Sequence, residues 1–417
     1  MNQSRRAVIT GLGPLTCIGI GKEAFWQGLV AEKSGIARCA RFDTSSLNAH
    51  AAGEIPDWEP GRFFPPHRHK RLDRYAQFSV HSARLAIEDA QLNVSPDQPT
   101  SRIGVSYGTA LGGIANAEIE HARFMQGGSK AVTPTLALQV FGGSAHSNIA
   151  IEFGLRGVGT TNSNSCASGA VAIGDAFRYI RDGYVDVMIA GAAEAPLSPL
   201  TYSAFAFIKT MSQYEGDPIA KACRPFDIKR DGFVMGEGGA SLVIEELEHA
   251  RARGAHIYAE VRGYSLNNDA YHMTSPLPDG ASCIRAMKQA LAEAELEPQE
   301  LDYINAHASS TQLNDSTESR CIREVLGTHA ERPLVSGTKA YTAHPLGATG
   351  AIEAIICCLA LENAWVPPTL HVDQADPACQ LNLVLNHAQE KPLQHILSNS
   401  FGFGGINSCL ILSKPSD

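Results

Sequence analysis

The sequence has no long apolar run, no excess of positive charge and no paired-cysteine motif. No stretch approaches the roughly 18 uninterrupted apolar residues of a membrane span, so the pattern predicts a soluble protein with no membrane partner. A net charge of -9 over 417 residues argues against bulk electrostatic capture of nucleic acid. The ten cysteines contain no C-x-x-C pair of the kind that binds zinc. We therefore expect a reduced, cytoplasmic protein that needs no metal and no other cofactor.

The sequence also lacks the composition of a disordered or fibrous chain. Hydrophobic residues make up 44% and charged residues 18%, which is typical of a globular protein. At roughly 150 residues per domain, the length predicts two to three units. No Pro-rich or Ser-rich run separates the chain into independent domains. Two closely packed lobes therefore fit the sequence better than domains on a flexible linker.

The first apolar segment resembles a secretion signal only superficially. Arg5 and Arg6 precede an apolar run, but Gly11, Gly13 and Pro14 interrupt that run early. A signal peptide would need a longer apolar core than this one. We interpret the segment as a buried first strand followed by a turn at the glycines and the proline.

Short apolar runs alternate with helical patterns along the whole chain. The apolar runs predict strands over 6–9, 103–107, 185–190, 241–246, 256–263, 301–306 and 333–337. Apolar residues spaced three and four apart predict helices over 75–90, 169–180 and 282–295. The alternation predicts an α/β protein with two similar halves, 1–255 and 256–417. We expect the chemistry at the junction of these halves, where strand ends and the loops after them meet.

Cys166 is the candidate nucleophile. It lies in the segment 163–170 (Ser-Asn-Ser-Cys-Ala-Ser-Gly-Ala), between a predicted strand and the start of a predicted helix. Free N–H groups and the positive dipole end of a helix start favour a thiolate, so we expect its pKa to lie below the free value of about 8.5. Small neighbours leave room for a long acyl substrate. The alternative is an ordinary buried cysteine, which is the commonest role of a free cysteine.

Two histidines follow predicted strands in the second half. His307 ends one strand and precedes small hydroxyl residues that suit hydrogen bonds to a substrate arm, and His344 precedes a Gly/Ala-rich apolar helix. A single histidine is more often structural than catalytic. Together with Cys166, however, the two supply a nucleophile and two neutral N–H donors. That set suits acyl transfer followed by stabilisation of an enolate.

A glycine-rich segment covers 399–407 (Asn-Ser-Phe-Gly-Phe-Gly-Gly-Ile-Asn). It does not have the G-x-G-x-x-G pattern before a clear helix, so nucleotide binding is disfavoured. Two interpretations stay open. One is a tight turn between strands, and the other is a flexible aromatic gate whose backbone N–H points at an oxyanion.

Taken together, these segments resemble the β-ketoacyl-acyl-carrier-protein synthases of the elongating synthase II type and their relatives in type II polyketide synthesis. The resemblance extends from 8–13 (Val-Ile-Thr-Gly-Leu-Gly) through 223–227 (Cys-Arg-Pro-Phe-Asp) and 230–234 (Arg-Asp-Gly-Phe-Val) to the glycine-rich segment. It implies the thiolase fold, in which two similar halves form five αβαβα layers. It also implies an acyltransferase, usually a homodimer, whose partner is an acyl carrier protein with acyl and malonyl groups on phosphopantetheine.

The resemblance implies a decarboxylative Claisen condensation. Cys166 would take the acyl group as a thioester, and malonyl-carrier protein would then enter through a pantetheine tunnel. His307 and His344 would assist decarboxylation and stabilise the enolate as its carbanion attacks the thioester. Backbone N–H groups of Cys166 and Phe403 would hold the oxyanion, and Phe401 would contact the substrate.

Four further residues take roles from the same resemblance. Lys339 matches the family's motif lysine and is expected to pair with Glu318, which would orient the histidines. Ser309 and Thr311 match hydroxyl groups that contact pantetheine.

A basic run over 66–74 contains Arg68, Lys70 and Arg71 and is the densest positive segment of an acidic chain. Similar runs dock the carrier protein in the family that the sequence resembles. A solvated helix face is the alternative interpretation.

Three alanines depart from the family's pattern. Ala308 and Ala343 replace glycines of the two histidine motifs, so the loops must shift if either glycine needs a positive φ. Ala117 lies in the segment that resembles the lining of the acyl pocket, where many relatives have a bulky residue. A deeper pocket for long or polyene acyl chains is the corresponding hypothesis.

Two other functions compete with elongation. An initiating synthase or thiolase would use acyl-CoA, but His344 argues against an initiator of the Cys-His-Asn type. A chain-length partner in a heterodimer has lost its nucleophile, whereas this chain keeps Cys166, His307 and His344. The sequence therefore predicts an active subunit, either in a homodimer or with such a partner. It leaves open whether the product enters fatty acid or polyketide synthesis.

Overall fold

Strands and helices alternate through the first half of the chain, as the hydrophobic pattern predicts. The structure is a computed structural model that describes residues 5–56 and 58–415. The elements of the first half are β1 (Ala7–Thr16), β2 (Gly19–Ile20), α1 (Lys22–Val30), β3 (Ala37–Arg38), β4 (Ala51–Ala52), α2 (Pro66–His69), α3 (Arg74–Asp89), β5 (Ile103–Gly108), α4 (Ile114–Gly127), α5 (Leu136–Val140), α6 (Ser144–Phe153), β6 (Gly159–Asn162), α7 (Ser168–Arg181), β7 (Val187–Glu194), α8 (Pro199–Phe207), β8 (Gly238–Glu246) and α9 (Leu247–Ala252).

The second half has the same alternation. Its elements are β9 (Ala259–Asn268), α10 (Ala281–Glu293), β10 (Tyr303–Asn305), α11 (Gln312–Leu326), β11 (Leu334–Ser336), α12 (Lys339–Thr342), α13 (Thr349–Asn363), β12 (Trp365–Val366), β13 (Gln389–Glu390), β14 (His395–Gly402) and β15 (Ile406–Ser413). Short 3₁₀ turns, Ser165–Ala167 and Leu346–Ala348, lead directly into α7 and α13.

The main strands of the two halves are arranged in the same order. In the first half, β1, β8 and β7 are antiparallel neighbours, and β5 and then β6 continue parallel to β7. In the second half, β9, β15 and β14 are antiparallel neighbours, and β10 and then β11 continue parallel to β14. A three-residue antiparallel pairing joins β1 to β9. The molecule is therefore built from two similar five-stranded units.

Helices form three layers around these units. The helices α3 and α6 pack on one face of the first unit, and α10 packs on one face of the second with α11 against it. The helices α7 and α13 pack against each other and against strands of both units. The order helix, sheet, helix, sheet, helix is the predicted five-layer arrangement. Because α13 is enclosed by both units, all of its residues from Thr349 to Leu361 are buried.

One segment has the length and composition of a membrane span. Leu346–Asn363 has a mean hydropathy of 1.4 over 18 residues, and 89% of it is buried inside the fold. A helix that is apolar on all sides suits the interior of a large protein as well as a membrane. Here the apolar side chains pack between the two units, so this is a core helix.

The predicted turn in the first strand is wrong. β1 continues through Gly11 and Pro14 and pairs with β8 on both sides of a bulge between Ile9 and Gly11. A β-carbon on Gly11 would lie 2.2 Å from the carbonyl oxygen of Ala86 in α3, and one on Gly13 would lie 2.1 Å from another α3 carbonyl oxygen. The glycines therefore let a helix approach the sheet closely, and they do not end the strand.

Candidate active site

Cys166 lies where the first half changes from strand to helix. Strand β6 ends at Asn162, and the chain then makes the turn Ser165–Ala167 before α7 begins. Ser165 has a φ of 52°, a left-handed conformation that a serine rarely adopts. The sharp turn directs the cysteine toward the second half, and Cys166 is 8% exposed.

His307 and His344 come from the second half and line the same cavity as Cys166. His307 follows β10, and His344 follows α12. The His344 Nε2 atom lies 3.1 Å from Cys166 Sγ. The two imidazole centroids are 5.6 Å apart, with ring planes at 80°. The structure thus brings together the three side chains that the sequence analysis singled out.

Burial keeps both imidazoles neutral. Desolvation lowers the pKa of His307 and of His344 well below the usual 6.5, and the nearby charge of Lys339 lowers both further. The Nδ1 atom of His344 lies 2.7 Å from Thr349 Oγ1. Because a hydroxyl group can accept or donate, either tautomer of His344 keeps this bond while Nε2 faces Cys166.

The Cys166 thiol is not acidified as the sequence predicts. Burial raises the pKa of Cys166, although the side chain of Ser165, the charge of Lys339 and a backbone hydrogen bond from Phe403 oppose this effect. The loss of water on burial outweighs these opposing effects. The prediction of a lowered pKa is therefore wrong, and formation of the thiolate needs a base. His344 Nε2, at 3.1 Å from the sulfur, is positioned to be that base.

Lys339 pairs with Glu353 and not with Glu318. Its Nζ lies 2.7 Å from Glu353 Oε1, with both side chains buried, and it also donates to the carbonyl oxygen of His307. Glu318 accepts the backbone N–H groups of His307 and Ala308, each at 2.8 Å. The predicted Lys339–Glu318 pair is therefore wrong, because α13 and not α11 places its carboxylate beside the lysine. Both interactions hold the loop that carries His307.

The glycine-rich segment forms a hairpin between β14 and β15. The glycines after Phe403 have φ values of 85° and 72°, which close the turn. The backbone N–H of Phe403 is a hydrogen-bond partner of the Cys166 thiol. Its ring stacks on Phe205, with centroids 6.2 Å apart and planes at 16°. The tight-turn interpretation is confirmed, whereas the aromatic gate stays a prediction.

A cavity of about 520 Å³ surrounds the three reactive side chains. Ser309, Thr311 and Phe401 line it, and the two hydroxyl oxygens are 2.9 Å apart. Toward the surface the lining includes Leu313 and Lys209, which are both exposed. The cavity is therefore open to solvent at one end and reaches the buried sulfur at the other.

Ala117 does not line this cavity, although Ala110 and Leu111 of the same segment do. The chain turns at Gly112, which has a φ of 57°, and α4 then carries Ala117 away as a half-buried residue. The predicted contact between Ala117 and the substrate stays a prediction, because the segment was expected to line the acyl pocket near a dimer interface.

The three basic candidates lie at and just after α2, outside the cavity lining. The Arg68 Nε atom is 3.3 Å from Glu152 Oε2, and its Nη2 atom donates to the carbonyl oxygen of Asn148. Arg68 is thus tied to α6. Lys70 and Arg71 are exposed, and the Arg68 side chain is 21% exposed, so carrier docking stays a prediction for all three.

Three buried residues that hold the site were not predicted: Thr349, Glu353 and Glu194. Glu194 accepts N–H groups from the segment after β5 and from Gly347, which joins the two halves below the cysteine. Glu353 carries a signal in the sequence, since a charge in the middle of an apolar helix needs a partner. The role of Thr349 could not be found, because it depends on how the loop of His344 folds back on α13.

The chain matches known proteins over almost its entire length. Residues 4–250 match the family model "Beta-ketoacyl synthase, N-terminal domain", and residues 258–373 match "Beta-ketoacyl synthase, C-terminal domain". The chain is 40% identical over 414 residues to 3-oxoacyl-[acyl-carrier-protein] synthase 2 of Staphylococcus aureus (strain N315), with 99% of both chains covered. It is 41% identical over 412 residues to the protein of that name from Synechocystis sp. (strain ATCC 27184 / PCC 6803 / Kazusa), with the same coverage.

Solved structures give the same result. "The ishigamide ketosynthase/chain length factor" matches with a TM-score of 0.92 and 35% identity, covering 99% of this chain and 100% of that one. The complex of a type II PKS acyl-carrier protein with its ketosynthase bound to the hexaketide matches with a TM-score of 0.90 and 34% identity, at the same coverage.

The five-layer fold and the cavity with one cysteine and two histidines define an acyltransferase of the thiolase-fold class. Within that class, the chain belongs to the β-ketoacyl synthase family. The predicted family, fold class and acyltransferase class are therefore confirmed.

Proposed function

We propose that this protein catalyses decarboxylative Claisen condensation of an acyl group with malonyl-acyl-carrier protein, which elongates the chain of a fatty acid or a type II polyketide. One observation carries the proposal. The Cys166 sulfur lies 3.1 Å from His344 Nε2, and His307 lines the same cavity. A nucleophile, a base and a second imidazole thus meet in one place.

Acylation uses Cys166 and His344. As the Cys166 sulfur attacks the incoming thioester, its proton passes to His344 Nε2, and that proton then leaves with the departing pantetheine thiolate. The backbone N–H groups of Cys166 and Phe403 donate to the oxyanion. Phe403 is suited to this because its N–H already faces the sulfur.

Condensation uses both imidazoles. When malonyl thioester loses carbon dioxide, the electrons of the broken C–C bond form an enolate, and N–H groups of neutral His307 and His344 donate to its oxygen. The enolate carbon attacks the acyl carbonyl on Cys166, and the tetrahedral intermediate then expels the cysteine thiolate. Lys339 acts as a positioning residue, since its Nζ binds Glu353 and the His307 carbonyl oxygen.

The partner is an acyl carrier protein that carries its substrates on phosphopantetheine. The relatives are named as acyl-carrier-protein synthases, and one similar solved structure is a complex with an acyl-carrier protein. The long cavity suits a pantetheine arm, with Ser309 and Thr311 as hydrogen-bonding groups and Phe401 beside them. Exposed Lys70 and Arg71 offer charge to an acidic carrier.

The active molecule is a dimer located in the cytoplasm. Large apolar side chains are exposed on α4 and near it, with exposed fractions of 53% for Ile119, 70% for Met125, 62% for Leu138 and 69% for Leu200. Such a surface is typical of a contact between proteins.

The division into halves 1–255 and 256–417 is supported by the gap between the two family matches, because the first match ends at 250 and the second begins at 258.

A second candidate is the active subunit of a heterodimer with a chain-length partner. The likeness to the ishigamide ketosynthase/chain length factor favours it. In both cases the chain itself holds the reactive cysteine, so the two candidates differ in the occupant of the exposed apolar surface. An initiating synthase that uses acyl-CoA is the remaining alternative.

Intact mass spectrometry tests the proposal directly. The purified protein is incubated with a panel of acyl-carrier proteins and with acyl-CoA, beside Cys166→Ala and the control Cys39→Ala. We expect a mass increase of one acyl group in the native chain and in the control, and none in Cys166→Ala. Acylation of Cys166→Ala would contradict the assigned nucleophile. Preference for acyl-CoA would identify an initiating enzyme.

A further inference from the structure

Each of the two histidines is adjacent to an alanine with an unusual backbone conformation. Ala308 has a φ of 42°, and Ala343 has a φ of 59° with a ψ of -159°. The β-carbon of an L-residue is crowded at positive φ, and the combination at Ala343 is populated almost only by glycine. Two alanines are thus held in conformations that cost free energy, at the positions next to His307 and His344.

The surrounding structure leaves these methyl groups no room to move. Both alanines are fully buried. A β-carbon on Gly337 would lie 2.4 Å from the Ala308 methyl group. A β-carbon on Gly53 would lie 2.6 Å from the Ala343 methyl group, and one on Gly236 would lie 3.1 Å from it. Each methyl group therefore occupies a site that exists because its neighbours are glycines.

Hydrogen bonds hold the same backbone from the other side. Glu318 accepts the N–H groups of His307 and Ala308. The N–H of His344 donates to the Val234 carbonyl oxygen at 2.8 Å, and the His344 carbonyl oxygen accepts an N–H at 3.1 Å. The unusual conformations are thus imposed by contacts on every side of the loops.

We propose that Ala308 and Ala343 are positioning residues for condensation, whose methyl groups restrict the loops of His307 and His344 to the one conformation that directs both imidazoles at Cys166. Glycine would relieve the backbone strain, but it would also admit further conformations of each loop. The proposal rests on the proposed function, because it gives both imidazoles a role in the reaction. It gives a role to the strained alanines at positions 308 and 343, where glycine would fit without strain.

Glycine substitutions distinguish an effect on the positions of the two imidazoles from an effect on the stability of the fold. Ala308→Gly and Ala343→Gly are compared with Ala364→Gly, because Ala364 has a φ of 51° at the end of α13 and lies outside the cavity lining. All three variants relieve strain, so we expect the midpoint of thermal unfolding to rise by about 1–2 °C in a chain of this length. Only the first two should lower kcat for condensation, by about threefold to tenfold, with KM for malonyl-carrier protein unchanged. Hydrogen exchange in the histidine loops should be faster in those two alone.

A methyl exchange tests whether the Ala308 methyl group acts by filling space. Gly337→Ala moves the methyl group to the facing residue, and in the presence of Ala308→Gly its nearest remaining neighbour is Pro225, at 3.2 Å. We expect the double variant to remain stable and to keep the low kcat of Ala308→Gly. Recovery of kcat in the double variant would show that the methyl group only fills space, and the proposal would be overturned for Ala308.

The outcomes distinguish this inference from the proposed function. If His307→Ala retains full condensation, the proposed function fails. If His307→Ala is inactive while both glycine variants keep the native kcat, the proposed function stands and the positioning role is overturned. A lower midpoint together with an unchanged kcat also overturns it.

Discussion

The starts of α7 and α13 occupy equivalent places in the two halves, yet they differ at one decisive position. Each helix is preceded by a 3₁₀ turn whose first residue has a positive φ, 52° at Ser165 and 36° at Leu346. The segments 165–170 (Ser-Cys-Ala-Ser-Gly-Ala) and 346–351 (Leu-Gly-Ala-Thr-Gly-Ala) begin with these turn residues and align in register. Cys166 in the first copy therefore corresponds to Gly347 in the second.

The second copy cannot carry a side chain at that position. A β-carbon on Gly347 would lie 2.6 Å from the backbone nitrogen of Ala110 and 2.7 Å from Glu194 Oε2. The second half contributes instead through His344, which precedes the turn and reaches back to the sulfur. The two helix starts thus have a similar backbone conformation, but the two halves contribute different groups to the site. The first half supplies the candidate nucleophile, and the second half supplies the two imidazoles.

The largest expected effect comes from removing an imidazole while keeping the nucleophile. His307→Ala should lower condensation by about 10²–10⁴-fold, because the enolate loses an N–H donor. Acylation of Cys166 should persist, since His344 stays 3.1 Å from the sulfur. Single-turnover condensation and intact mass measure the two steps, with His387→Ala at an exposed histidine as the control. Loss of acylation in His307→Ala would break the proposed division between the halves.

Adding a methyl group at Gly347, the residue that corresponds to Cys166, should also have a large effect. Gly347→Ala places a β-carbon against the backbone of Ala110 and the Glu194 carboxylate, so we expect a loss of about 3 kcal/mol in the free energy of unfolding. The shift would also displace His344 and lower kcat by about 100-fold. Gly61→Ala, where nothing lies within 4 Å, is the control. Denaturant titration and steady-state kinetics check both values. Native-like behaviour of Gly347→Ala would mean that the two turns are less constrained than their geometry implies.

Buried carboxylates of the two halves differ in their partners, yet burial raises the pKa of both, which predicts a pH dependence of stability. Glu353 has an ammonium partner in Lys339, whereas the partners of Glu194 among the described residues are N–H and O–H donors. Burial raises the pKa of Glu194 from 4.5 to about 7. Between these values the folded state binds more protons than the unfolded state, so stability falls as the pH rises.

Glu194→Gln should remove this slope. Between pH 5 and pH 7 the native protein should lose about 2 kcal/mol through Glu194, a loss that the variant lacks. Burial also raises the pKa of Glu353 and of Asp73 to about 7. A residual slope from these two groups is expected in both proteins. Urea unfolding at several pH values measures the difference. Equal slopes would show that Glu194 does not titrate in this range.

The three candidate catalytic residues could be selected from the sequence because each carries a local signal. Cys166 lies at a helix start, His307 follows the buried strand β10, and His344 follows the short helix α12 that comes after the buried strand β11. The alternation of strands and helices likewise predicted two similar halves. The likeness between the segments 165–170 and 346–351 is also visible in the sequence. Only the structure shows that the two segments begin equivalent helices.

The wrong predictions all depend on contacts between distant segments. The partner of Lys339 is decided by the packing of α13 against the loop of His307, since Glu318 and Glu353 are both acids on helices of the second half. The pKa of Cys166 depends on how completely other segments of the chain bury the start of α7. The glycines of β1 suggested a turn because the close approach of α3 cannot be read from the sequence.

The smallest expected effect distinguishes the hydroxyl groups that begin the two helices. Ser168 Oγ donates to the Ser165 carbonyl oxygen at 2.8 Å, whereas Thr349 Oγ1 lies 2.7 Å from His344 Nδ1. Ser168→Ala should therefore cost about 1 kcal/mol of stability with little change in kcat. Thr349→Val keeps the shape of the side chain but leaves His344 without its partner, so kcat should fall about tenfold and the pH profile of kcat should shift. Thr349→Ser restores the hydroxyl group and should restore both. If the kcat of Thr349→Ser is as low as that of Thr349→Val, the methyl group of Thr349 positions His344 and its hydrogen bond does not. In that case the hydroxyl groups at the two helix starts have more similar roles than their contacts indicate.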